Sequence, residues 1–281
     1  MALEKVSNIL KTAEKTNTSV IAFNCNDFTM AYSVIAVADE LKKPVIVMLY
    51  PADQFQKNCC NLSGFAAMVK ELAAGTDVPI GLHLDHCSDY DYILHAIQSG
   101  FTSVMFDGSM LPVEENIRLT KSVVDAAHAL GADVEAELGH VGFAANSDQD
   151  NQDMYTKPEV AAEFCEKTGV DSVAVAIGSA HGVYRETPKL DLKRLEEINA
   201  ATDTPLVLHG GSGIPNDQLE QAFCKGINKF NVGTEYFQLY YDSIRMYCSE
   251  KGDKGAMLDL PMFVQERMKN YLRVKMQLSK L

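Results

Sequence analysis

The sequence predicts an α/β chain folded as a single (β/α)8 TIM barrel with one extra C-terminal helix. Three observations carry that prediction. Eight short apolar runs alternate with longer amphipathic stretches along the 281 residues. The runs are rich in Val, Ile and Ala with little polar alternation, as parallel strands covered on both faces should be. Residue types that carry chemistry then fall at the C-terminal ends of those runs, where such barrels keep their active sites. The length suits one domain over residues 1–281, since barrels of roughly 250 residues often form a single unit. The alternative is an open doubly wound sheet, which usually has fewer strands and binds its ligand at one switch point.

In chain order the runs are Ser19–Asn24, Pro44–Leu49, Pro79–Asp85, Thr102–Phe106, Asp133–Leu138, Asp171–Ile177, Pro205–His209 and Ile227–Val232. The segments between them read as helices. Leu111-Pro112-Val113-Glu114-Glu115-Asn116 places proline and acids in a first turn, and Leu130-Gly131 supplies the stop. Pro158-Glu159 and Pro215-Asn216-Asp217 open two more helices in the same way. Pro261–Leu281 reads as a last amphipathic helix, packed outside the barrel or on a neighbouring subunit. Two loops are long. Tyr50–Ser63 follows the second strand, and Gly142–Lys157 follows the fifth, with a polar, turn-prone stretch at Asn146–Asp153 that suits a mobile lid.

Composition narrows the function. Apolar residues make up 47% of the chain, which excludes disorder. A net charge of −13 argues against nucleic acid or an anionic membrane surface as partner, while leaving room for a positive pocket around a phosphorylated substrate. The seven cysteines are scattered apart from Cys59-Cys60, and there is no C-x-x-C pair. With no apolar N-terminal segment, reduced thiols and a cytoplasmic location are expected. No apolar run reaches the roughly 18 residues of a membrane span.

The strand ends read Asp85-His86 on the third run, Asp107 on the fourth, Glu137 on the fifth, His181 after the sixth and His209 on the seventh. The eighth ends in Asn231-Val232-Gly233-Thr234. Three imidazoles with a position left open for substrate are the makeup of a catalytic zinc site. The bland alternative is histidines satisfied inside a core. Gly178-Ser179-Ala180-His181-Gly182 and His209-Gly210-Gly211-Ser212-Gly213 are glycine-rich turns on the same rim. Glycine lets the backbone approach a ligand, and consecutive N–H groups make an anion nest. The usual barrel phosphate site lies in the loops after strands seven and eight. No lysine stands at a strand end, which argues against Schiff-base chemistry.

Taken together, His83–His86, Gly100–Asp107, Val134–Gly139, Gly178–Gly182, Leu206–Pro215 and Asn231–Glu235 resemble the class II, zinc-dependent ketose-bisphosphate aldolases. The likeness runs from about residue 5 to the end of the chain. Within that family, Asn231-Val232-Gly233-Thr234 is similar to the tagatose-bisphosphate type rather than the fructose-bisphosphate type. The resemblance implies that His86, His181 and His209 ligate one catalytic Zn2+, with Asp107 and Glu137 ligands of a second metal position. It implies that Asp85 carries the proton of the C4 oxygen. It assigns dihydroxyacetone phosphate to Gly182, Gly210, Gly211, Ser212, Asn231, Val232, Gly233 and Thr234, with a monovalent cation (Na+ or K+) near the phosphate loops. The implied reaction is reversible cleavage of a phosphorylated ketose to dihydroxyacetone phosphate and an aldehyde. Zinc would act there as a Lewis acid. A homodimer or homotetramer is the implied assembly.

The chain departs from the family pattern in places. It reads Gly142-Phe143-Ala144-Ala145 where fructose-bisphosphate members have two glycines and an acidic pair. Its acids come later, at Asp148, Asp150 and Asp153, and Asp148 is the favoured proton-abstracting base. Tyr50 is bulky where a small hydroxyl residue is usual, and His140 stands in place of a threonine or arginine. These changes suggest an aldehyde half unlike glyceraldehyde 3-phosphate, with Asn24, Tyr50, Asp27 and Arg185 as candidate contacts. His83 is expected inside the barrel, and His95 and His128 on its helices. Two other readings remain: a zinc-dependent barrel hydrolase, and a non-catalytic aldolase-like subunit that stabilises or regulates a partner. The hydrolase would need His-x-His where this chain has Phe23-Asn24-Cys25.

Overall fold

The computed structural model describes residues 3–51, 61–147 and 154–281. Eight parallel strands close into a barrel in chain order, which excludes the open sheet. They are β1 (Val20–Asn24), β2 (Val45–Leu49), β3 (Ile80–Cys87), β4 (Ser103–Phe106), β5 (Asp133–Leu138), β6 (Ser172–Val175), β7 (Leu206–Leu208) and β8 (Ile227–Val232). Closure comes from β1 pairing with β8, Val20 opposite Lys229 and Ala22 opposite Asn231. The helices of the described residues are α1 (Val6–Lys15), α2 (Phe28–Leu41), α3 (Leu62–Ala73), α4 (Tyr90–Ser99), α5 (Val113–Leu130), α6 (Pro158–Thr168), α7 (Leu192–Ala201), α8 (Asn216–Cys224), α9 (Thr234–Lys251) and α10 (Asp259–Met276).

Local chemistry sets the helix ends. Side chains of Asp27, Asp89 and Asp191 accept from the backbone N–H of Met30, Tyr92 and Arg194, capping α2, α4 and α7. α5 stops at Gly131, which takes φ +85°. The last helix, α10, lies along α2 and α9 on the outside of the barrel.

Strand side chains alternate between two unlike cores. Ile21, Phe23, Val47, Leu82, Leu84, Val134, Ala136, Leu208, Phe230 and Val232 point outward into the layer shared with the helices. A small inner cluster of Val20, Ala22, Ile46 and Met48 meets Val6, Ile9 and Leu10 of α1, which plugs the bottom of the barrel. Gly81 makes room for this plug, since a Cβ there would sit 2.9 Å from Val6. Elsewhere the interior is polar: His83, Asp85, Ser103, Asp133, Glu135, Glu137, Ser172, His209, Lys229 and Asn231 are all buried. The expectation of little polar alternation therefore needs correcting. Asp133, Glu135 and Glu137 of β5, and Lys229 and Asn231 of β8, are polar because they face the barrel axis, where other polar groups meet them.

β3 runs two residues past its expected end at Asp85, and its register against β4 shifts between Leu84 and Cys87. Within that shift His86 takes a left-handed φ of +43°. A regular strand would send neighbouring side chains to opposite faces. The bulge instead turns Asp85 and His86 into the same cleft.

Candidate active site

The third, sixth and seventh strands deliver the three imidazoles to one point. His86, His181 and His209 each offer a nitrogen, and these atoms lie within 4.8 Å of one another. Ring centroids are 4.8 Å apart for His86 and His181, 4.7 Å for His86 and His209, and 5.9 Å for His181 and His209. The core-histidine alternative does not describe such a cluster.

Each ring is also held from behind. His86 Nδ1 meets Asp107 Oδ2 at 2.8 Å. His181 Nδ1 donates to the Val141 carbonyl at 3.0 Å. His209 sits between two acids, Nδ1 against Glu137 Oε2 and Nε2 against Glu135 Oε1, both at 2.9 Å. A ligating histidine whose other nitrogen is fixed by a carboxylate or carbonyl is the usual support of a metal site. The donor set thus fits a tetrahedral ion such as zinc with one position open.

Electrostatics follow from burial and neighbours. Burial, then the charge of His86, pushes the His181 imidazolium down to about 4, so this ring is neutral as a ligand must be. Burial also disfavours charge on His209, but hydrogen bonds to Glu135 and Glu137 outweigh it and raise the group to about 10. His83 is pushed down to about 3 by burial and then by Lys229. Burial opposes ionisation of Asp85, yet the charges of His86, His209 and Lys229 prevail and hold its carboxyl below the usual range.

Asp85 is placed as rigidly as the rings. Asn24 Nδ2 donates to its Oδ2 at 2.8 Å and Asn231 Nδ2 to its Oδ1 at 3.1 Å. The two amide oxygens left over, Asn24 Oδ1 and Asn231 Oδ1, are buried with no partner among the described residues. They are unpaired acceptors on the two amides that hold Asp85, and suited to ligand hydroxyls. Tyr50 stands at the mouth, its ring edge-on to His86 with centroids 6.2 Å apart. Asp27 caps α2 and also accepts from Tyr240 Oη. Arg185 is exposed, and half-buried His140 has a buried Nδ1 without a partner among the described residues.

The two glycine turns abut. Gly210 has φ +65°, and a Cβ there would fall 2.4 Å from the Ala180 carbonyl. At Gly211 a Cβ would fall 1.9 Å from the Phe230 ring. Tyr184 ties the turns together, its hydroxyl accepting from Ala180 N–H at 2.6 Å and donating to the Gly210 carbonyl at 2.7 Å. Ser212 Oγ accepts from Glu235 N–H in the first turn of α9, which begins at Thr234 just after Gly233. A glycine turn facing a helix N-terminus is a ready anion site. Gly182, with φ +99°, follows His181 on the same rim.

The structure therefore brings together Asn24, Tyr50, Asp85, His86, Asp107, Glu137, His181, His209 and the two phosphate-type turns. Asp148, with Asp150 and Asp153, lies outside the described residues, as do residues 52–60 of the second loop. Sequence reading assigned no role to Glu135, Lys229 or Tyr184. Polar alternation in Asp133–Leu138 and Ile227–Val232 was the available signal for the first two. A second group, His83, Asp85 and Glu135, also lies within metal-ligand reach of one another. Lys229 Nζ stands 2.8 Å from Glu135 Oε2, so a cation already occupies that acid.

A family model described as "Fructose-bisphosphate aldolase class-II" matches residues 4–280. The D-tagatose-1,6-bisphosphate aldolase subunit GatY of Klebsiella oxytoca is 39% identical over 268 residues, covering 95% of this chain and 93% of that one. Among solved structures, the YdjI aldolase of Escherichia coli K12 superposes with a TM-score of 0.88 at 34% identity, covering 99% of this chain and 97% of that one. A putative fructose-1,6-bisphosphate aldolase from Coccidioides immitis gives 0.85 at 28% identity, covering 98% and 96%.

Proposed function

The chain belongs to the class II fructose-bisphosphate aldolase family, a family of zinc-dependent lyases acting on phosphorylated sugars, and on that premise we propose that it cleaves a phosphorylated ketose reversibly to dihydroxyacetone phosphate and an aldehyde. The observation that carries the proposal is the convergence of His86, His181 and His209 beside a buried, doubly held Asp85. When bound by those rings, zinc supplies Lewis acidity that offsets negative charge building on substrate oxygen.

The chain's own residues do the rest. Asp85 takes the C4 hydroxyl proton in cleavage and returns it in condensation, a role that needs its carboxylate fixed and ionised. Asn24 and Asn231 hold it so, and their free carbonyl oxygens accept substrate hydroxyls. Gly182, Gly210, Gly211, Ser212 and Asn231 to Thr234 take the phosphate of the dihydroxyacetone half through backbone N–H groups. Asp107 and Glu137 orient His86 and His209 in the structure and can serve a second metal position. A Na+ or K+ beside the phosphate turns belongs to the same proposal. So do a cytoplasmic location and a homodimer or homotetramer.

The base that removes the carbon-bound proton is assigned to Asp148, with Asp150 and Asp153 as the other candidates. Single Asp→Asn changes should identify it through a loss of about 10²–10⁴-fold in turnover. Turnover within roughly threefold of wild type at all three positions removes these acids from the mechanism. Tyr50, over His86 at the mouth, argues for an aldehyde half other than glyceraldehyde 3-phosphate.

The test is a panel of phosphorylated and sulfonated ketoses given to chain stripped with EDTA and to chain reloaded with zinc, followed by dihydroxyacetone phosphate release. Release only with zinc is expected. No release from any ketose favours the second reading, a non-catalytic subunit, which draws support from the word "subunit" in the name of the GatY relative.

A further inference from the structure

Three ionisable side chains lie one layer below the metal-type cluster and meet its His209, and the reaction just described uses none of the three. Glu135, Lys229, His83 and His209 are all fully shielded from solvent in the barrel axis. Glu135 spans them. Its Oε2 accepts from Lys229 Nζ at 2.8 Å and from Ser172 Oγ at 3.3 Å. Its Oε1 lies 2.9 Å from His209 Nε2 and 3.9 Å from His83 Nε2. His83 is itself held through Nδ1 by Ser103 Oγ at 2.8 Å. Lys229 stands opposite Val207, two residues before His209 on the neighbouring strand.

We infer that the Lys229–Glu135 pair is a positioning device for His209, fixing its ring proton on Nε2 so that Nδ1 is the nitrogen offered to a metal. Three features point there. An ionised carboxylate only accepts hydrogen bonds, so Glu135 Oε1 requires N–H at Nε2. Glu137, which faces Nδ1, sits two residues nearer the C-terminal end of β5 and hence nearer the rim where the other imidazoles converge. Lys229 supplies the countercharge that lets Glu135 stay ionised in the axis. It also occupies the oxygen that would otherwise be free to rotate toward the ring. Among the described residues the Lys229 ammonium hydrogen-bonds Glu135 and not His209, so it acts on the ligand through Glu135.

The inference rests on the zinc reading, and its test separates the two. Wild-type chain, Glu135→Gln, Lys229→Met and the double variant are titrated with zinc against a competing fluorescent chelator. Wild-type chain labelled with 15N-histidine is examined by NMR with zinc bound. The expected result is an Nε2–H tautomer at His209 in the wild type and a zinc affinity about 10–100-fold weaker in each single variant. A purely structural pair would lower thermal stability and leave zinc affinity unchanged. The tautomer is read on the wild type, so the outcome does not depend on a variant folding. Wild-type chain that takes up no zinc overturns the metal reading beneath the inference. Wild-type chain that binds zinc with Nδ1–H at His209, or folded variants within twofold of its affinity, overturns the positioning role alone.

Discussion

His86 shows how much one residue can decide. Its left-handed backbone puts two adjacent side chains, Asp85 and His86, in one cleft. Non-glycine residues reach that conformation only at some cost, and such strain gathers at functional sites. The proposed chemistry splits between the two neighbours. Asp85→Asn keeps the shape and the histidine cluster but removes the carboxylate proposed as proton carrier. Turnover should fall by about 10²–10⁴-fold while bound zinc, measured by elemental analysis, stays at the wild-type level. A variant that loses its zinc would show Asp85 to be a metal support instead. The sequence located both residues, because Asp-His after an apolar run is visible as letters. It could not show the bulge, since the register shift depends on β4 pairing across the barrel. Gly211 is legible in the same partial way. Its turn is a recognisable pattern, but only the fold reveals Phe230 packed where a Cβ would go. Gly211→Ala should displace the turn, raising KM for phosphorylated ketose several-fold and lowering stability by about 1–3 kcal/mol.

At the scale of elements, the informative contacts join loops and strands that are distant in sequence. Tyr184 links the turn after β6 to the turn after β7 with a single hydroxyl. Burial raises that hydroxyl's pKa to about 12, so it stays a donor across the working range. Tyr184→Phe keeps the ring and removes the tie, leaving one N–H and one carbonyl unpaired. Each unpaired buried group costs about 1–3 kcal/mol. The expected result is a lower melting temperature with a raised KM for the phosphate-bearing substrate and little change in zinc affinity. If KM does not move, the tie serves the fold alone. Tyr184 follows His181-Gly182-Val183 in the sequence, yet nothing there marks its hydroxyl for Gly210, which is 26 residues away. The strands themselves were readable, since eight runs matched eight strands with ends off by a residue or two. The polar column inside them was less so. Glu135, Ser172 and Lys229 come from three strands, and the buried charges of Glu135 and Lys229 become reasonable only when closure brings the three together.

The whole molecule ties its stability to two features, an outer helix and an inner ligand cluster. α10 presents Val264, Met268 and Leu272, all buried, to α2 and α9. Its Lys275 reaches Glu235 at 2.7 Å, beside the turn that holds Ser212. Leu272→Ala should therefore cost about 2–5 kcal/mol, as truncating a fully buried leucine does. The histidine cluster adds a term of different kind. On the proposed reading the imidazoles, which converge only in the folded barrel, bind metal there and not in the unfolded chain, so zinc at about 1,000 times its dissociation constant should stabilise by roughly 4 kcal/mol. For a chain of this size that corresponds to a rise in melting temperature of roughly 8–16 °C, taking about 2–4 °C per kcal/mol. EDTA should reverse the rise. His181→Ala should abolish it while changing the melting temperature of the stripped protein far less, because His181 is only half-buried and its ring is held by one carbonyl. Calorimetry of wild type and variant, each with and without zinc, checks the pair. An equal rise in both would mean that the ion binds elsewhere than at the three imidazoles.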